Sequence, residues 1–204
     1  NLLQPEREDL VKDNFLFKGK WSNFFKNNNP IVLELGCGKG EYTYSLANKY
    51  PNQNFIGIDI KGARIWKGAK DSVSKDLKNV CFVRCQIELI DKIFAKNEIS
   101  EIWLTFPDPQ IKYQRRKHRL LNSKFIELYK KIMVKNSLIH LKTDSEFLHG
   151  YALGIAEGLG LKIVNSNHDI YQNRNAHEDA INIQTFYEKK FLDKKITYMC
   201  FKID

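Results

Sequence analysis

An apolar run leads into three glycines at alternate positions in Val32-Leu33-Glu34-Leu35-Gly36-Cys37-Gly38-Lys39-Gly40-Glu41. Glycine in such a turn admits positive φ and lets the backbone approach a ligand closely. A dinucleotide-binding turn would read GxGxxG, with a pyrophosphate on the helix behind it. Here the spacing is GxGxG, and an acid, Glu34, precedes it. That pattern suits a ligand without phosphate that carries positive charge. S-adenosylmethionine offers a sulfonium, an amino-acid end and an adenosine, and a carboxylate beside the loop is compatible with it.

Asp59 closes the next apolar run about 20 residues on, where an acid can accept both hydroxyls of a ribose. It can equally cap a helix. Gln86, after the third run, stands where its amide can bond the edge of an adenine, while Glu88 can cap the helix that follows. After the fourth run comes Phe106-Pro107-Asp108-Pro109, in which two prolines stiffen the loop around a carboxylate. Behind it lie Lys112, Arg115, Arg116, Lys117 and Arg119, with His118 among them and no acid. Such a run can neutralise several phosphates, and beside a cofactor pocket it would place bound RNA where the chemistry occurs; the plain alternative is a solvated charged face. Asp144 and Glu188 can accept the N1–H and N2–H of guanine. From spacing alone both read as caps, since Asp144 precedes a helix and Thr185 with Glu188 has capping-box spacing.

The elements that must hold these residues follow a β-α-β-α rhythm. Short runs rich in Val, Ile, Leu and Phe (31–35, 54–60, 80–85, 101–106, 137–143) alternate with segments of helical length whose apolar residues recur every three or four positions. This predicts an α/β fold, a doubly wound, Rossmann-like sheet. Two late runs, LKIVNSNHDI and ITYMCFKI, predict an antiparallel pair at the edge. They bring the sheet to about seven strands, mostly parallel with an antiparallel C-terminal strand. Residues 1–20 are dense in charge and weakly periodic, which predicts a mobile segment before a single domain over 21–204.

The chain of 204 residues is 43% hydrophobic, enough for one filled core. It has no run of about 18 apolar residues and no secretory layout at its start, so a soluble, cytoplasmic protein without membrane contact is expected. The four cysteines form neither a CxxC pair nor a Cys/His cluster, so no metal site is expected. Lys and Arg number 33 against 24 Asp and Glu, a net charge of +9 that favours encounter with polyanions. Oligomeric state is left open between monomer and homodimer.

LELGCGKGEY, NFIGIDI, FPDP with its basic tail, HLKTD and TFYEKKF, in that order, resemble the bacterial tRNA (guanine-N7)-methyltransferases. The likeness runs from about Ile31 to the C-terminus. The resemblance implies methyl transfer from S-adenosylmethionine to N7 of a variable-loop guanosine, position 46 of tRNA. It places cofactor contacts on Glu34, Asp59, Gln86 and Asp108, beside the loop glycines Gly36, Gly38 and Gly40 that the turn itself marks for close approach to the cofactor. It makes Asp108 the catalytic aspartate, and puts substrate contacts on Lys112, Asp144, Thr185 and Glu188, with the arginines and Lys117 on the tRNA backbone. Two departures stand out: Gln110 where many members have Trp, and Gln86 where many have Asp. The N-terminal segment, with the basic run, would hold the tRNA body. Alternatives are an RNA-binding protein that keeps the fold without the reaction, or a methyltransferase acting on another RNA base.

Overall fold

The structure, a computed structural model, describes residues 1–190 and 194–203. Among the described residues eight strands form one sheet in the order β1-β4-β3-β2-β5-β6-β8-β7. They are β1 (Leu2–Leu3), β2 (Ile31–Leu35), β3 (Asn54–Asp59), β4 (Val80–Arg84), β5 (Ile99–Thr105), β6 (Met133–Thr143), β7 (Ile163–Asn167) and β8 (Thr197–Ile203). The first six of these strands pair in parallel. The last strand, β8, runs antiparallel between β6 and β7, so the late pair closes the edge as its sequence predicts. The strand beyond the expected seven is β1, two residues beside β4.

Parallel strands need crossovers, and helices on both faces supply them. The helices of the described residues are α1 (Arg7–Lys12), α2 (Trp21–Phe25), α3 (Glu41–Lys49), α4 (Gly62–Ser74), α5 (Ile90–Ile93), α6 (Ser123–Ile132), α7 (Glu146–Gly158), α8 (Glu178–Asn182) and α9 (Phe186–Lys190), the last two joining the antiparallel β7 and β8. The segment after β4, expected as one helix, splits into a 3-10 turn at Ile87–Leu89 and the single turn of α5. Central strands are buried on both faces, so β2 reads as an unbroken apolar run around Glu34.

Residues 1–20, read from sequence as mobile, are placed against the body. Leu10 and Phe15 enter the core, and Phe15 and Phe17 pack on Trp21, itself stacked on Phe94 at 5.5 Å. The spacing of these aromatics matches neither a helix nor a strand, so a periodicity argument passes over them. Among the described residues no helix is long and apolar enough to cross a membrane. Nor does any group of three or more His, Cys, Asp or Glu there form a metal site. All four cysteines are buried and free.

The chain visits β2, β3 and β4 in turn and then returns to lay β5 on the other side of β2. This reversal opens a crevice at the carboxyl ends of β2 and β5. Close packing behind the glycine turn sets its shape. Gly40 has φ 70°, and a Cβ there would lie 2.3 Å from the ring of Phe82 and 3.2 Å from Cα of Gly68. Because Phe82 is fully buried, its ring has nowhere to go. Gly40→Ala is therefore expected to cost about 2–4 kcal/mol in urea denaturation, from overpacking plus left-handed backbone. A loss below about 1 kcal/mol would show that α3 and α4 can separate freely there.

Candidate active site

A cavity of 530 Å³ opens at the crevice, with Glu34, Gly36, Gly38, Thr105, Phe106 and Thr185 in its wall. Gly36 and Gly38 adopt φ of 76° and 55°, and a Cβ built on either would meet nothing within 4 Å. The turn is held from behind, since the amides of Gly36 and Cys37 both donate to the carbonyl of Ile58, at 2.8 and 3.0 Å. The backbone therefore presents open space toward the cavity. Gly40 is different: a Cβ there would meet the ring of Phe82 and the backbone of Gly68, so the missing side chain serves packing.

Glu34 is 3% exposed. The hydroxyl of Thr105 donates to its Oε1 at 2.6 Å, across from β5, and the hydroxyl of Thr43, from α3, donates to its Oε2. Among the described residues no Lys, Arg or His pairs with it. Burial without a counter-charge pushes its carboxyl up to about 7, against the two hydroxyl bonds that pull it down. Neither threonine is legible as a site residue in the sequence. Thr105 ends an apolar strand and Thr43 sits inside a helix; only their register with Glu34 gives them this role.

A second cavity, of 740 Å³, lies at the carboxyl ends of β3 and β4 and includes Ile60 and Gln86 in its wall. Asp59, at the end of β3, bonds to the glycine turn. Its Oδ2 accepts from the amide of Gly38 at 2.9 Å, and its Oδ1 accepts from the amide of Lys61 at 2.8 Å. The carboxylate thus fixes the glycine turn to the start of the next crossover. The N-cap of α4 is Lys61, with no side-chain cap bond.

The loop after β5 is left-handed at both ends, with φ 49° at Phe106 and 46° at Gln110, a costly backbone for residues other than glycine. Between them Asp108 is exposed, with Oδ1 accepting from the amide of Gln110 at 2.9 Å. Phe106 carries the loop to the cavity wall. Lys112, Arg115, Arg116 and Lys117 follow on an exposed 3-10 segment, and Arg116 stacks 4.0 Å over the ring of Tyr113.

Arg119, expected on the phosphates with the rest of the run, is set apart from it by burial. It is buried, donates to the carbonyls of Gln110 and Ile111 at 3.2 Å each, and lies over the rings of Phe147 and Tyr151. It clamps the base of the loop to α7. Glu188, expected at the guanine, is buried and bonded within the protein. Its Oε2 accepts from Lys142 Nζ at 2.7 Å and its Oε1 from the hydroxyl of Tyr171, with both ends of the ion pair fully buried. Burial lowers the Lys142 ammonium while Glu188 raises it. Lys142 also donates to the carbonyl of Ile183 at 2.9 Å, so the pair moors α9 on β6.

Thr185 accepts from the amide of Glu188 at 3.2 Å, which is the capping arrangement its spacing suggests, and it lines the cavity as well. Asp144 accepts from Lys194 at 2.9 Å and from the hydroxyl of Tyr187 at 3.3 Å. The cap of α7 is its neighbour Ser145, which accepts from the amide of Leu148. Phe191, the last residue of TFYEKKF, lies outside the described residues.

A sequence model of a family described as a putative methyltransferase matches residues 28–201. A tRNA (guanine-N(7)-)-methyltransferase of Christiangramia forsetii is 59% identical over 206 residues, spanning 100% of this chain and 92% of the relative. Its namesake in Bacteroides fragilis is 49% identical over 184 residues, spanning 90% and 72%. Among solved structures, the 16S rRNA methyltransferase KamB superposes with a TM-score of 0.69 at 11% identity, over 91% of this chain and 93% of that one. A SAM-dependent methyltransferase from Aquifex aeolicus gives 0.61 at 13%, over 98% and 100%. At these identities the structures speak for the fold alone.

The buried Glu34 carboxyl has a consequence for stability. A carboxyl held at about 7 in the fold and near 4.5 when unfolded contributes stability below pH 4.5, lost as pH rises through 7. Glu34→Gln keeps the shape without the charge. It is expected to be more stable than the natural protein at pH 8, by up to roughly 3 kcal/mol, and to match it near pH 4. Denaturant melts at the two pH values measure this, and a variant less stable at pH 8 would mean that the charge is compensated.

Proposed function

Since the chain belongs to the tRNA (guanine-N7-)-methyltransferase family, we propose that it methylates N7 of a guanosine in tRNA, the variable-loop guanosine at position 46, with S-adenosylmethionine as donor. The observation that carries the reading is the arrangement around Glu34. A buried carboxylate without a cation among the described residues lines a cavity together with glycine backbone at which an added Cβ would meet nothing within 4 Å. A cationic ligand that approaches the main chain closely fits that donor set. A pyrophosphate does not, because it would meet the carboxylate.

The cofactor supplies an electrophilic methyl group on a sulfonium. Glu34 holds the cationic end, and the amides that Asp59 and the carbonyl of Ile58 fix in place keep the turn open to it. Asp59 keeps lone pairs for ribose hydroxyls beside the two amides it accepts from. Gln86 offers an amide to the adenine edge.

Guanine N7 carries an in-plane lone pair that is unprotonated at neutral pH, so the acceptor needs no general base. The chain's task is to align the acceptor and to meet the positive charge that reaches the purine. Asp108 suits both. It is exposed, it stands on a loop braced by two prolines and by the Arg119 clamp, and it adjoins the cavity through Phe106. Lys112, Arg115, Arg116 and Lys117 bind the phosphates, and Arg119 keeps their loop in place. Thr185 and the residues after it roof the cavity, moored by the Lys142–Glu188 pair.

Incubation with unmodified tRNA transcripts and labelled S-adenosylmethionine, followed by borohydride and aniline cleavage, tests this. One cut in the variable loop is expected, with Asp108→Ala reducing its rate by about 100-fold or more through lost charge stabilisation. Label without a cut would remove the N7 assignment. Cuts elsewhere in the tRNA would remove the position.

A further inference from the structure

We propose that residues 4–11 form the outer wall of the cofactor site on its adenine side, and that Arg84 pins this wall in place. The proposal rests on the methyltransferase reading above. It moves the start of the chain from an arm that grips tRNA to a part of the cofactor pocket.

The path of the chain supports it. Leu2 and Leu3 pair with Phe82 and Val83, and the amide of Phe82 donates to the carbonyl of Asn1 at 3.0 Å. The segment therefore runs parallel to β4 and leaves the sheet at the carboxyl end of that strand. There Gln4, Pro5, Leu10 and Val11 make one wall of the 740 Å³ cavity, and Ile60 and Gln86 belong to its other side. Leu10 anchors this wall in the core, and α1 lies against α5. Ile60 is 50% exposed and Val11 76% exposed, although both border a cavity. Besides Arg7, Arg84 and Lys92, the wall offers apolar side chains and the amide of Gln86, which suit a planar heterocycle with polar edges, and a purine has that form.

Arg84 ties the pieces together. Its Nε donates to the carbonyl of Ile60 at 3.2 Å, and its Nη1 donates to Oε1 of Gln4 at 3.0 Å. Its guanidinium also covers Gly62, where a Cβ would lie 3.3 Å from Cζ. One side chain thus joins the N-terminal wall, the turn after β3 and the end of β4. All three border the place where the adenosine would lie.

Hydrogen exchange with and without S-adenosylhomocysteine, together with calorimetric affinities for it, tests the proposal on the full chain. The amides of residues 6–12 are expected to exchange more slowly when S-adenosylhomocysteine is bound. Arg84→Gln is expected to weaken its binding about tenfold, while binding of tRNA in its absence changes less than about twofold. Gln4→Ala removes one bond only, cannot unfold the protein through Arg84, and is expected to weaken binding in the same direction by a smaller factor. Unchanged exchange over residues 6–12, or unchanged affinity in both variants, would overturn the wall. So would a loss confined to tRNA binding, which would return the segment to its reading as an arm. Failure of the natural protein to bind S-adenosylhomocysteine at all would instead remove the methyltransferase reading, and the wall with it.

Discussion

A carboxylate held inside the protein without a cation beside it is costly, and the crevice is organised around that cost. Glu34 stands on the strand from which the chain winds outward in both directions, so it faces the gap that the reversal of strand order opens. Two hydroxyls, from Thr43 on the helix and Thr105 on the neighbouring strand, are its only side-chain bonds among the described residues. They orient the charge without neutralising it. The packing of Gly40 on Phe82 and Gly68 brings α3, and with it Thr43, close enough to do this. A site poised for a positive ligand is thus less stable empty than an apolar core would be, a common relation between function and stability.

Charge on the substrate side is divided by a different rule. Lys142, Glu188 and Arg119 are buried and spend their hydrogen bonds on the protein, so they shape loops. Asp108, Lys112, Arg115, Arg116 and Lys117 are exposed on the loop so shaped. Removing one partner of a buried pair such as Lys142–Glu188 costs on the order of 3–5 kcal/mol, because the other charge is then left buried and unpaired.

Much of this was legible in the sequence because its causes are local. Strand runs, the glycine turn, the acid at the end of β3 and the proline-braced loop each announce themselves within a few residues, and the structure brings Glu34, Gly36, Gly38 and Thr185 to one cavity. What was not legible depends on contacts across the fold. Nothing in the run from Lys112 to Arg119 marks its last member as buried, because that follows from Phe147 and Tyr151 on a later helix. Glu188 has capping-box spacing, yet its side chain turns inward to a lysine 46 positions earlier. The N-terminal residues look mobile by charge density, while Leu10, Phe15 and Phe17 find their partners around Trp21 and Phe94.

The most direct measurement is the number of protons exchanged when S-adenosylmethionine binds, obtained by calorimetry in buffers of different ionisation enthalpy at pH 6 and pH 8. With the Glu34 carboxyl held at about 7 in the empty site, an arriving cation should expel close to one proton at pH 6 and almost none at pH 8. A proton count that stays the same across this range would contradict a buried, unpaired carboxylate as the group that receives the cofactor.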